Sequence, residues 1–360
     1  MPIPKIKDTR TKALTCDDFR GIAISPVISK VFEYCIVDRF SKFLSSSDNQ
    51  FGFKKSLSCS HAVYSTRLIV DSFVKAGNTA NLCSIDLSKA FDKVNHHGLY
   101  LKLMKRNVPA ELLVIFENWF DSCVACVKWN DVWSATFSVN CGVRQGSVLS
   151  PFLINIYLND VVKLNDCVNR KFIIVYADGI LLIVQFVSEL RSLLRACEKE
   201  LITIDTKINV KKLCCMRVGP RCNAICANLQ TSDGRYLPWV SEMRYFGIFV
   251  VKARSFRCSL SHSKRSFFGA VNGVFGKLLN LASELVILEL VKSKCFPILL
   301  YGLECCNLRS ADLHSSDFTY NRLFMKLFRT KSINVVKDSQ YYFGAVLPSF
   351  LVLRKADKLA

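Results

Sequence analysis

Two periodicities alternate along the first 250 residues of this chain. Apolar residues at helical spacing predict helices over 26–44, about 60–76, near 97–106, 110–121 and 188–206. Short apolar runs predict strands at 81–87 (NLCSIDL), 213–218 and 245–251 (YFGIFVV). KFIIVYA (171–177) runs into Asp178 and Gly179 and leaves as ILLIV, which predicts a hairpin. Residues 123–139 alternate about Asn130-Asp131, a second hairpin signal. GVRQGSVLSP (142–151) leads into a helix reaching about 165. From a boundary near 252–260 the spacing turns helical, over 262–282, 284–300 and 316–329. Mixed strands and helices followed by a helical appendage predict an α+β fold.

The 360 residues allow roughly two domains or one with lobes, and 51% hydrophobic content calls for a large core. No apolar run reaches the ~18–20 residues of a membrane span. Asp178 interrupts 171–187, and Glu289, Lys292, Lys294 and Pro297 interrupt 285–303, so both read as buried elements. Met1 is followed by PIPKIKDTRTK, which is no signal peptide.

The net charge of +20 points to a polyanion or an anionic membrane surface as partner. Residues 251–360 hold 17 Lys and Arg against 7 Asp and Glu. No acidic residue lies between Glu242 and Glu284, where Phe256, Phe267, Phe268 and Phe275 interleave with basic ones. Such rings either stack on bases or form a core beneath a solvated basic face. The 17 cysteines include one CxxC (Cys123/Cys126) with no second pair and no histidine at finger spacing, so reduced, half-buried thiols are expected rather than zinc.

Three segments carry candidate chemistry. In SIDLSKAFDKVNHH (84–97), Asp86 sits in an apolar strand, either as a metal ligand or as an edge residue; Asp92 and Lys93 open the next turn. In GVRQGSVLSP, Gly142 and Gly146 bracket Arg144 and Gln145 before a helix, which suits phosphate or is an ordinary helix entry. The third is YADGILLI (176–183). If its strand neighbours that of Asp86, Asp178 and Asp86 can share two hard cations. Alternatively Asp178-Gly179 is a tight turn whose glycine supplies a positive φ.

In order, these segments resemble the reverse transcriptase domain of non-LTR (LINE-type, chicken-repeat-1-like) retrotransposons. CDDFRGIAISPVISKVFE (16–33) and NQFGFKKSLSCSHAV (49–63) resemble its two fingers blocks, and SIDLSKAFDKVNHH and GVRQGSVLSP resemble palm motifs A and B. YADG stands where motif C reads YADD; INVKKLCCMRVG (208–219) resembles motif D, and RYFGIFV (244–250) the primer grip. The resemblance implies a right-hand polymerase: fingers over 1–80, a palm with an antiparallel sheet over 81–251 that carries remaining fingers elements, a basic helical thumb over 252–330 and a truncated tail over 331–360. It implies an element whose upstream endonuclease lies outside this chain, acting in cytoplasm and nucleus as a ribonucleoprotein.

The implied partners are an RNA template, a DNA primer and dNTPs, with two Mg²⁺ ions, or Mn²⁺ in their place. Asp86, Asp178 and the Leu87 carbonyl are the implied metal ligands. Phe91 is the implied steric gate against a 2′-hydroxyl, Gln145 lines the nucleotide pocket, and Arg20, Lys54 and Lys55 face the triphosphate. Lys212 is the implied general acid for pyrophosphate, and Tyr245, Phe246 and Gly247 seat the primer. Three positions depart from the family pattern. Gly179 replaces the second motif C aspartate, Ser56 a glycine, and Leu213 a small hydroxyl residue. Gly179 removes a charge beside the metals, so an intact fold with crippled catalysis is expected. The competing readings are a fragment that only binds RNA or template-primer, and a two-metal nuclease or phosphatase.

Overall fold

The computed structural model describes residues 2–6, 19–278 and 281–359. The chain forms two compact units, each assembled from separated stretches of sequence: Met1–Leu57, Cys83–Leu213 and Asn228–Leu237 in the first, Ser58–Leu82, Cys214–Ala227 and Pro238–Ala360 in the second. Helices and antiparallel strands mix throughout, as the α+β expectation required.

The first unit is built around a buried antiparallel hairpin, Phe172–Tyr176 with Gly179–Val184, joined in one sheet by the end of strand Ala80–Asp86. Ile173, Ile174 and Val175 and all of Ile180–Val184 are buried, which explains continuous apolar runs rather than alternation. Helix Val187–Thr203 lies against the second hairpin strand and buries Leu190, Leu194, Cys197 and Leu201, one stripe at helical spacing. The predicted 110–121 helix is found as Ala110–Asp121, while that over 26–44 ends earlier, at Arg39. Residues 124–138 form two short nested ladders about Asn130, whose φ of 51° makes the turn.

The predicted hairpin is present, but its turn differs from expectation. Tyr176 pairs with Gly179, so Ala177 and Asp178 form the two-residue loop. Ala177, not the glycine, holds the positive φ, at 54°. Gly179 is simply the first residue of the second strand.

In the second unit, helix Cys59–Lys75 buries Ala62, Val63, Thr66, Val70 and Phe73. The run YFGIFVV is not one strand: Glu242–Tyr245 and Ile248–Val251 pair across Phe246 and Gly247, both at positive φ. A side chain added at Gly247 would lie 2.7 Å from the Tyr301 ring, so both φ and space require glycine there. The predicted 284–300 helix is interrupted by a wide turn over Val291–Cys295, after which Phe296–Leu300 resumes with a proline in its first turn.

Helices Ser261–Leu278, Ser310–Leu327, Ile333–Tyr342 and Pro348–Leu359 close around one core that includes Phe267, Val271, Phe275, Phe324, Val336 and Val352. Residues 331–359 are thus largely helical and contribute to this core. Phe256, Phe267 and Phe275 are buried, which overturns the base-stacking alternative for them and leaves a Phe core beneath basic groups. An aromatic chain runs through it, from Phe296 to Tyr320 at 4.5 Å and on to Phe324 at 5.1 Å. The expectation of reduced thiols fails for one pair. Cys258 and Cys306 are disulfide-bonded, because an antiparallel bridge between Val250 and Cys258 and the turn after Gly302 place them together, which chain spacing does not reveal. Among the described residues no helix is long and apolar enough to cross a membrane.

Ser56 has a φ of 66°, a left-handed conformation that glycine adopts freely and an L-residue resists. Ser56→Gly is therefore expected to stabilise the fold by about 1 kcal/mol, read from urea denaturation midpoints. Phe324→Ala, removing a fully buried ring of the aromatic chain, is expected to cost about 3–5 kcal/mol in the same assay.

Candidate active site

Asp86 ends a strand and Asp178 occupies the loop of the buried hairpin, and backbone hydrogen bonds bring the two segments together. Leu87 N–H donates to the Asp178 carbonyl at 3.2 Å. Asn209 N–H donates to the Asp86 carbonyl at 2.7 Å, and Ser88 N–H to Lys207 at 2.9 Å. The returning segment delivers two side chains to the Asp86 carboxylate: Lys212 Nζ at 2.8 Å and Asn209 Nδ2 at 3.3 Å, both on Oδ2. Asp86 and Asp178 are half-buried, Leu87 is buried, and Lys212 is exposed. The predicted metal ligands and Lys212 therefore gather where the strands of the sheet end.

The donors gathered there, two carboxylates and a carbonyl, are all hard oxygen and suit Mg²⁺ chemistry. They amount to two acidic groups, and no cluster of three or more potential metal-ligating side chains exists among the described residues.

Phe91 is half-buried and meets Phe53 edge-on at 5.9 Å; its carbonyl accepts from Val143 N–H at 2.7 Å. Gly142 carries a φ of 88°, and a Cβ there would lie 2.7 Å from the Asp92 carbonyl. These contacts lace the turn after Asp86 to the glycine-bracketed loop. Gln145 Nε2 donates to Asp92 Oδ1 at 3.0 Å. Both residues border a cavity of about 430 Å³ whose lining also includes Arg144 and Cys123. Lys54 donates to the Ser47 carbonyl at 2.7 Å, and partial burial lowers its pKa against the pull of Asp48. Lys55 is exposed. Arg20 has a backbone place in strand Phe19–Ala23, but its side chain lies outside the described residues, as do residues 16–18 of the first fingers block.

Tyr245, Phe246 and Gly247 belong to the second unit, at the turn of its hairpin. Tyr245 is buried rather than displayed. Its hydroxyl accepts from Thr66 at 3.3 Å, its ring lies 4.1 Å from that of Phe246, and burial pushes its pKa well up. Leu213, buried at 3% exposure, packs in the interior.

Sequence reasoning missed two supporting side chains. Glu33, 1% exposed, accepts from Ser147 Oγ and Val148 N–H at 2.6 Å each and from Leu149 N–H at 3.1 Å. It thereby satisfies the Val148 amide at the entry to helix Ser150–Tyr157 and shares that of Leu149 with Ser147 Oγ. Gln50, also 1% exposed, accepts from Gly52 and Ala177. The only sequence signal for either is a polar residue in an apolar neighbourhood.

A family model described as reverse transcriptase (RNA-dependent DNA polymerase) matches residues 3–250. The chain is 31% identical over 150 residues to a probable RNA-directed DNA polymerase from transposon X-element of Drosophila melanogaster, covering 40% of this chain and 16% of that protein. It is 23% identical over 352 residues to the probable RNA-directed DNA polymerase from transposon BS of the same organism, covering 91% and 37%. The chain thus spans well under half of these relatives. Apo telomerase from Candida tropicalis aligns with a TM-score of 0.48 and 12% identity, over 95% of this chain and 63% of that one, a likeness too loose to argue from.

Glu33→Gln removes the charge from three accepted hydrogen bonds. It is expected to cost about 1–3 kcal/mol in urea denaturation and to speed amide exchange at Val148 and Leu149.

Proposed function

Because the chain belongs to the reverse transcriptase (RNA-dependent DNA polymerase) family, we propose that it is the polymerase segment of a LINE-type retrotransposon. In this reading it copies an RNA template by adding deoxynucleotides to the 3′-hydroxyl of a DNA primer. The observation that carries the reading is the Leu87–Asp178 hydrogen bond, which joins two segments whose aspartates are 92 residues apart, at the ends of neighbouring strands within the matched region. Right-hand fingers, palm and thumb, with boundaries at 80, 251 and 330, come with the same reading.

Asp86, Asp178 and the Leu87 carbonyl would hold magnesium, or manganese in its place, which when bound activates the attacking hydroxyl and neutralises charge on the leaving pyrophosphate. The remaining roles belong to the chain's own side chains. Phe91, braced by Phe53, excludes a ribose 2′-hydroxyl. Gln145, held by Asp92, lines the base-pair pocket. Lys54, Lys55 and Arg20 offer positive charge to the triphosphate. Lys212 donates a proton to pyrophosphate once it releases Asp86. Phe246 and Gly247, at the turn of the second unit's hairpin, are the groups of the primer-grip segment that can meet a primer strand, with Tyr245 buried beneath them.

Gly179 stands where the family's second motif C carboxylate would be, and losing one electrostatic partner of a transition state costs ~3–5 kcal/mol, or roughly 10²–10⁴ in rate. A second reading, a catalytically inactive fragment that only binds RNA or template-primer, draws support from the two-carboxylate site and from the Lys212 ammonium paired with Asp86.

Primer extension on poly(rA)/oligo(dT) with Mg²⁺ separates the two. Gly179→Asp is expected to extend about 10²–10⁴ faster than the unaltered chain. Comparable rates would remove Gly179 as the lesion, and no extension by either chain would favour the binding-only reading.

A further inference from the structure

We propose that Gln50 is a positioning residue for Asp178, setting the stance of its carboxylate through the backbone of Ala177. The inference rests on the metal-site reading of Asp178 above and adds a residue to it.

Ala177 is an L-residue held left-handed, at a cost of about 1–2 kcal/mol, so the loop keeps this shape only if its surroundings impose it. The segment 49–52 does so. Val175 N–H donates to the Asn49 carbonyl at 2.9 Å and Phe51 N–H to the Val175 carbonyl at 2.8 Å, a short parallel pairing about Gln50. The buried Gln50 Oε1 then accepts two backbone amides, Gly52 at 2.9 Å and Ala177 at 3.2 Å. Gln50 Nε2 has no hydrogen-bond partner, so the acceptor oxygen is the side chain's polar contribution.

Gly52 allows the approach. A Cβ there would lie 2.4 Å from Ala177 N and 3.2 Å from Ala177 Cα, and its carbonyl is held by the buried Asn155 Nδ2 at 2.8 Å. Asp178 follows Ala177 directly, and its own carbonyl is held by Leu87 N–H. The loop is therefore fixed on both sides of the Ala177–Asp178 peptide: Gln50 holds the amide before it and Leu87 the carbonyl after it. Groups behind a metal ligand commonly tune affinity by 10–100-fold.

The test measures Mn²⁺ dissociation constants by EPR on the full chain, beside melting temperatures. Gln50→Met keeps the volume and removes the acceptor; it is expected to weaken Mn²⁺ binding by about tenfold. Asn155→Ala, which frees the Gly52 carbonyl but leaves the Gln50 oxygen, is a milder variant expected to show a smaller loss in the same direction. Gln50→Glu keeps the acceptor oxygen and is expected to bind Mn²⁺ at least as tightly as the unaltered chain. Leu193→Ala, on helix Val187–Thr203, lowers stability outside the clamp and is expected to leave Mn²⁺ affinity within about twofold, which a merely structural role for Gln50 would share.

If Asp178→Asn abolishes Mn²⁺ binding while Gln50→Met and Asn155→Ala bind normally, the clamp is refuted and the metal site stands. If Asp86→Asn and Asp178→Asn bind Mn²⁺ as the unaltered chain does, the metal-site reading fails and takes the clamp with it.

Discussion

The hydrogen bond from Leu87 N–H to the Asp178 carbonyl ties together two carboxylate-bearing segments from distant parts of the chain, and the proposed chemistry of the first unit depends on it. It links the end of a strand to the loop of a hairpin, two places where the backbone ladder is running out of partners. The hairpin strands are enclosed on both faces, so their register is held by the two-residue loop Ala177–Asp178 and by the backbone pairing of Val175 with Asn49 and Phe51 rather than by a contrast between a buried and an exposed face. The segment after helix Val187–Thr203 then returns along the Asp86 strand and brings Asn209 and Lys212 to its carboxylate. A charged pair at the rim thus depends on apolar packing several residues behind it.

Much of this was legible in the sequence, and the parts that were not have a common cause. Helices such as Ala110–Asp121 and Val187–Thr203 lie where their apolar spacing put them, because a long stripe leaves few alternatives. The hairpin was legible as well, and Asp86 stood out as a carboxylate in an apolar strand. The turning residue was not. Asp-Gly is a strong local turn signal, yet contacts from residues 49–52 set the loop one position earlier. YFGIFVV hid a second turn because an apolar stretch looks alike whether it runs straight or folds back. Glu33 and Gln50 escaped notice since the amides that Glu33 accepts, and the Ala177 amide that Gln50 accepts, lie more than 100 residues away. The two units are themselves interleaved along the chain, so no shift in composition marks where one stops.

The second unit separates two properties that the sequence presents together. Basic and aromatic residues alternate there, but folding sends Phe256, Phe267 and Phe275 inward and leaves charge on the outside. Ring packing holds the core, and basic groups lie against its rim, Lys326 5.1 Å from the Phe275 ring and the Arg322 guanidinium 5.8 Å from that of Phe268.

On the proposed reading, positions 56 and 179 depart from the polymerase pattern, and the backbone treats them in opposite ways. Ser56 occupies a conformation that suits glycine, so folding itself registers the change. Gly179 occupies an ordinary strand position, where any L-residue fits the local φ and ψ. Glycine and aspartate codons differ at a single base. On the proposed reading, exchanging aspartate for glycine at 179 is a single-base change that the strand backbone does not resist, so chemistry at this position can be lost or regained while the fold stays as it is.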